Sequence, residues 1–244
     1  MSTAAALRAG SRRRGRAASG KPAGATQARV LEAASALFAE RGFAGTTIRE
    51  IAERANVNVA TGHYHFGSKL EIYLEAVTAQ FAALDARLAL DGAQPGPAEV
   101  ERMSRGEIEA LLLRQIRTML EFLLGPPPAP HGAIMQREMC DPSEALPMMV
   151  RELVGPQKRA LRAIVSRLAP SLGPRELDRC CFSVVGQIFF YRQMLPVLPL
   201  LFDLTVLPAS FVADCAAHVA AFAIDGIAGA ERRAAARRRA RQRA

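Results

Sequence analysis

Apolar positions near the start of the chain repeat with the period of a helix. Val30, Leu31, Ala34, Leu37 and Phe38 fall at i, i+1, i+4, i+7 and i+8 and form one stripe, with Thr26 placed to cap its start. The stretch "RGFAGTT" breaks this helix at Gly42, and Thr46 or Thr47 caps a second one bearing Ile48, Ile51 and Ala52. Ser68 then caps a long helix reaching about Leu90, with Leu70, Tyr73, Leu74, Val77, Phe81 and Leu84 on its inner face. "DGAQPGPAEV" reads as a linker, and 107–124 as another apolar helix that the prolines of "GPPPAP" cannot continue. Within 131–167, Asp141-Pro142-Ser143 predicts a helix stop and restart with Ser143 as the new N-cap. Two last helices are expected at about 174–195 and 208–229.

Alternating β-branched runs are missing and Ala and Leu dominate, so the fold class is all-α. No apolar run is read as reaching the roughly 18 residues of a membrane span. The nearest, 184–207, is interrupted by Gln187, Arg192, Gln193, Asp203 and two prolines. Arginines near the N-terminus lack an apolar segment behind them, which argues against a signal peptide. Cys140, Cys180, Cys181 and Cys215 show no C-x-x-C spacing and are expected to be reduced, buried small hydrophobes of a cytosolic protein. No cofactor or metal is expected.

Charge is distributed unevenly. The net charge is +9, yet residues 1–25 and 231–244 together carry +12 and residues 26–230 carry −3. The chain therefore divides into a disordered basic tail (1–25), a first domain (26–70), a second domain (71–230) and a basic Ala/Arg tail (231–244). Mobile arginines suit a polyanion, although each tail could equally be solvated and without a partner.

Ala52, Asn56 and Val57 have the spacing of a helix-turn-helix: a small residue where two helices cross, then a turn residue that tolerates left-handed backbone. The whole run "RVLEAASALFAERGFAGTTIREIAERANVNVATGHYHFGSKLEIYLEAV" resembles the N-terminal domain of TetR-type transcriptional regulators, and the match extends over 26–77 without a gap. It includes the Phe-x-x-x-Gly-Phe, Thr-Thr, Ile-Ala and Tyr-His-Phe-x-x-Lys landmarks. The resemblance implies a three-helix DNA-binding domain followed by a helical ligand-binding and dimerisation domain. It also implies that the helix holding 58–64 enters the major groove. Asn58, Thr61 and His63 are then candidates for base edges, while Tyr64 and His65 lie near phosphate. Lys69 opens the next helix, where ammonium and helix N-terminus both favour an anion, and Thr46 and Thr47 offer hydroxyls and amides to the DNA backbone. One departure is Gly62, where the family usually places a side chain; it lowers helix propensity by up to about 1 kcal/mol.

A metal reading of His63 and His65 fails, because residues two apart on a helix point about 200° apart and helical zinc pairs stand four apart. No Ser, Cys or carboxylate nearby completes an acid/base site, so no enzymatic activity is expected.

Residues 131–170 contain "REMCDPS", which resembles the C-terminal domain of a TetR-type subgroup that senses toxic small molecules. Arg137 and Glu138 could form a structural pair or face a pocket. An effector pocket is expected among 107–124, 131–167 and 174–195. Met119, Phe122, Met135, Phe189 and Tyr191 would line it, with Gln187 and Arg192 as orienting groups, and this lining suits an apolar or aromatic molecule. Small residues Ala213, Ala217, Ala220 and Ala221 on the last helix are expected to form the homodimer interface; an intramolecular core is the alternative. The implied protein is a cytoplasmic, nucleoid-associated repressor. It would bind a palindromic double-stranded operator and be released by a small-molecule effector, with no membrane partner. The alternative is an architectural DNA binder that uses its arginine tails and needs no effector.

Overall fold

A computed structural model describes residues 23–58, 67–124 and 132–243 of the chain. Thr61, His63, Tyr64 and His65 lie outside the described residues, as does "GPPPAP". Among the described residues there is no strand. The helices are α1 (Ala23–Arg41), α2 (Ile48–Arg54), α3 (Lys69–Leu90), α4 (Pro97–Arg102), α5 (Arg105–Leu124), α6 (Ala133–Cys140), α7 (Leu146–Met149), α8 (Gly155–Leu168), α9 (Pro174–Met194), α10 (Leu198–Leu201) and α11 (Phe211–Arg243). A π-helical turn, Val150–Val154, joins α7 to α8. Pro156 has no N–H for the carbonyl of Glu152, and the wider turn absorbs that defect, with Gly155 N–H bonding to the carbonyl of Val150.

Two cores organise these helices. The first collects Val30, Ala34, Leu37 and Phe38 of the predicted α1 stripe with Ile51, Ile72, Tyr73, Ala76 and Val77. It is closed by Ile134, Ala145 and Met149, which come from much later in the chain. The second core lies between α5, α8, α9 and α11. It contains Leu111, Leu112, Ile116 and Leu120 against Ile164, Val184, Ile188, Val219 and Ala223. The long helix α3 spans both: its first half packs on α1, and its end meets α5 through Arg87 to Glu121 (3.1 Å).

Several sequence expectations are corrected. Helix α1 already includes residues 23–25, so Thr26 lies inside the helix and is not its N-cap. The "DGAQPGPAEV" linker contains α4, started by Pro97 at its first turn and held to α8 through buried Val100. Helix α5 starts two residues before Glu107, at Arg105. Ser143 stands two residues before the cap position of α7, which Ala145 occupies: its hydroxyl accepts from Ala145 N–H (3.1 Å), while its N–H and hydroxyl donate to Glu138 (2.8 Å each). The division at 230 crosses no break, since α11 runs on to Arg243. Buried Ala234 and the Glu231 carboxylate, which accepts from Ser171 N–H (2.9 Å), hold that extension to the body. Cys181 and Cys215 are buried small hydrophobes as expected, but Cys140 is exposed at the end of α6.

One 18-residue window of α11 is, by length and composition, apolar enough to cross a membrane (mean hydropathy 1.5), contrary to the run-length reading. About a third of it is buried within this chain, mainly against α5.

Candidate nucleic-acid interface

The first core holds a frame around the segment 59–66. Gly42 takes a left-handed backbone (φ 74°), donates its N–H to the carbonyl of Phe38 and stops α1. Thr47 caps α2 in a reciprocal box: its hydroxyl accepts from Glu50 N–H, and its own N–H donates back to the Glu50 carboxylate (2.8 Å). Asn56 has φ 52°, the left-handed turn that its position predicts, and Val57 N–H returns to the carbonyl of Ala52 (3.0 Å). Beyond the segment, Gly67 (φ 74°) turns the chain into α3, which Ser68 and Glu71 cap as Thr47 and Glu50 cap α2. Both ends of 59–66 are therefore anchored to packed helices.

Of the expected phosphate contacts, Thr46 is corrected. Its hydroxyl is fully buried and donates to the carbonyl of Gly42 (2.9 Å), with Leu37 a second carbonyl in reach (3.3 Å), so it braces the turn and offers DNA nothing. Thr47 is exposed at the start of α2. Lys69 is half-buried: its ammonium donates to the carbonyl of Phe43 (3.0 Å) and lies 4.2 Å from the centre of the Phe43 ring. Asn58 lies at the last described position before the segment.

A third box, Ser104 with Glu107, starts α5 (2.7 Å). Hydrogen bonds hold all three box carboxyls below the usual carboxylate range. The bond from the hydroxyl of Thr47 contributes most for Glu50, the N–H of Ser68 for Glu71, and the hydroxyl of Ser104 for Glu107. A depressed folded pKa means stability that is present above the ordinary value and is lost as pH falls through the depressed one. Acidification should therefore loosen three helix starts, those of α2, α3 and α5. Circular dichroism across an acid titration checks this: the Glu50→Gln, Glu71→Gln, Glu107→Gln triple variant should show a shallower loss of stability between neutral and acid pH. Superimposable profiles would remove the boxes from the account.

The seven expected effector residues do not converge on one site. Met119 and Tyr191 pack against the second core, where Tyr191 meets Phe211 edge-on (6.2 Å). Phe122 and Phe189 are half-buried on α5 and α9. Arg192 keeps its Nε buried and, among the described residues, without a hydrogen-bond partner. Met135 instead packs against the first core, and Gln187 donates back to the carbonyl of Ser183 (3.1 Å) beside an open groove of about 340 Å³ between α9 and α11. Met135 and Gln187 therefore leave the expected pocket, because helical phase turns each toward another surface.

Of the dimer candidates, Ala213, Ala217 and Ala221 are exposed, whereas Ala220 is buried in this chain's own core. Sequence reasoning left the roles of Arg137 and Glu138 open. They do not pair with each other: Arg137 Nε donates to the carbonyl of Ala39 (2.9 Å), and buried Glu138 accepts from the hydroxyl of Tyr73 (2.5 Å).

Helix α2, capped by Thr47 and ending in a left-handed asparagine turn, packs with α1 on a larger helical body, which is the arrangement expected for the described part of a helix-turn-helix regulator. The comparisons agree with that architecture. The family model for bacterial regulatory proteins of the tetR family matches residues 30–76, and that for the C-terminal domain of the HTH-type transcriptional dual regulator CecR matches 108–227. CecR of Shigella flexneri is 30% identical over 170 residues, covering 67% of this chain and 74% of that protein. The biofilm operon icaADBC negative transcriptional regulator IcaR of Staphylococcus aureus (strain Newman) is 39% identical over 57 residues, 23% of this chain and 31% of IcaR. A TetR-like transcriptional regulator from Rhodococcus sp. RHA1 shares the fold with a TM-score of 0.61 at 19% identity, over 84% of this chain and 96% of that one. The chain belongs to the TetR family of transcriptional regulators, DNA-binding proteins and not enzymes.

Proposed function

We propose that the protein is a homodimeric, effector-controlled regulator that represses from a palindromic operator and is released by a small apolar or aromatic molecule. The observation that carries this reading is the anchored frame around 59–66, which can present Asn58, Thr61 and His63 to base edges while Thr47, Tyr64, His65 and Lys69 face phosphates. A dimer formed through α9 and α11 would present two such frames to half-sites about 34–36 Å apart. The effector would enter the second core near Met119, Phe122, Phe189 and Tyr191, with Arg192 as its polar anchor. By binding one arrangement of α5, α8 and α9 better than another, it would shift the spacing of the frames. CecR is named a dual regulator and IcaR a negative one, and repression is the sign proposed for this chain. The site of action is the cytoplasm, on the nucleoid.

An operator selected from random duplexes should bind about 10³-fold or more tightly than random DNA at equal salt, and a thermal-shift hit from a library of aromatic compounds should lower that ratio. Equal affinity for both duplexes at every salt concentration would replace this reading with an architectural binder that uses its arginines. Hits that stabilise the protein and leave operator affinity unchanged would remove the effector.

A further inference from the structure

We propose that Arg137 and Glu138 are positioning residues for operator binding, fastening α6 to both α1 and α3 so that the regulatory domain sets the pose of the helix-turn-helix. Helix α6 lies within the segment matched to the CecR C-terminal domain, yet Ile134 is buried in the first core and α6 packs on α1. Arg137 reaches the last turn of α1, where Nε donates to the carbonyl of Ala39 (2.9 Å) and a second guanidinium nitrogen donates to that of Glu40. The final carbonyls of a helix have no partner within it and carry its negative pole, so a guanidinium fork both satisfies them and complements their charge.

Glu138, one residue on, faces the other way. It is 1% exposed and accepts from the hydroxyl of Tyr73 on α3 and from the N–H and hydroxyl of Ser143. Tyr73 stands edge-on to Phe38 (4.8 Å) and Phe43 (5.0 Å), and Phe43 carries the ammonium of Lys69. A line of direct contacts therefore runs from α6 through Tyr73 and Phe43 to the residue that opens α3, just after 59–66. Because two neighbouring side chains grip two different helices, a rotation of α6 cannot release one without pulling on the other.

This inference rests on the DNA-binding reading and not on the effector. Its test uses the full chain. Arg137→Met keeps the apolar stem and removes the donors; Arg137→Lys returns one donor and the charge. Operator and random-duplex affinities are measured by fluorescence anisotropy over a salt series, with hydrogen exchange at residues 42–46. Arg137→Met should weaken operator binding at least tenfold and leave random-duplex affinity and the salt slope in place. It should speed exchange at 42–46, and Arg137→Lys should recover part of both effects. Equal losses on both duplexes with a flatter salt slope would make Arg137 a phosphate contact and overturn the proposal. Wild-type operator affinity and wild-type exchange in Arg137→Met would overturn it too. Should Arg137→Met fail to fold, Glu138→Gln and Tyr73→Phe serve instead: each should lower operator affinity, and the double variant should fall no further than the worse single. Additive losses would show that the two side chains do not act as one joint. Hydrogen exchange needs no operator, so a failure of operator selection by the wild type is distinguishable from a failure of the joint.

Discussion

Ala217→Arg should sediment as a folded monomer and bind the operator about 10²–10⁴-fold more weakly than the wild type, the factor by which linking two half-site contacts raises affinity. Residue 217 lies on the exposed side of α11, alongside His218, Ala221 and Phe222, the last 63% exposed. Phe182 and Phe190 of α9 are also largely exposed, at 66% and 59%. An isolated chain gains nothing by leaving three phenylalanines in water, and a second copy approaching the exposed alanines of α11 would cover Phe222 beside them. The other side of α11 is occupied by Cys215, Ala216, Val219, Ala220 and Ala223 within the chain's own core. Arginine at 217 or 221 therefore leaves the protomer's packing untouched and adds charge only where a partner would press. Ala220→Arg is the informative contrast: alanine there is 3% exposed, so the variant should fail to fold at all. Sedimentation showing intact dimers for both Ala217→Arg and Ala221→Arg would move the interface elsewhere.

The second large effect is expected in the recognition segment. His63→Ala or Thr61→Ala should cost about 1–3 kcal/mol per half-site on the operator and almost nothing on random DNA. Lys69→Ala should behave differently from both. Its ammonium is tied to the carbonyl and ring of Phe43, so removal would loosen the α1–α2 corner as well as subtract the proposed phosphate contact. Binding should weaken on all sequences alike, the salt slope should flatten, and the thermal midpoint should fall. Unchanged discrimination between operator and mutated operator in His63→Ala would withdraw that residue from base reading.

Features that depend on neighbours in the chain were legible before any coordinates. Ser68 has its capping partner three residues on, Gly42 and Asn56 supply the backbone that their turns demand, and the α1 stripe is a matter of period. Features that depend on distant chain were not. Thr46 looks like a cap beside Thr47, and only the close approach of Leu37 and Gly42 shows where its hydroxyl goes. Arg137 finds its carbonyls almost a hundred residues away, which no local pattern reveals. Small size groups Ala220 with the outward alanines, whereas the phase of α11 against α5 turns it inward. The division at 230 followed a change in composition, and alanine's helix propensity carries α11 across it.

The late residues in the first core have a consequence for anyone building hybrid regulators. Ile134, Ala145 and Met149 are buried against the same cluster as Phe38 and Tyr73, so a fragment ending after α3 exposes part of its own interior. Grafting 26–90 onto a foreign sensor would leave that interior to whatever the new sensor happens to supply. The exchangeable cassette is discontinuous in sequence: it comprises the first three helices together with 133–149, and a chimera respecting that cut keeps the seam intact.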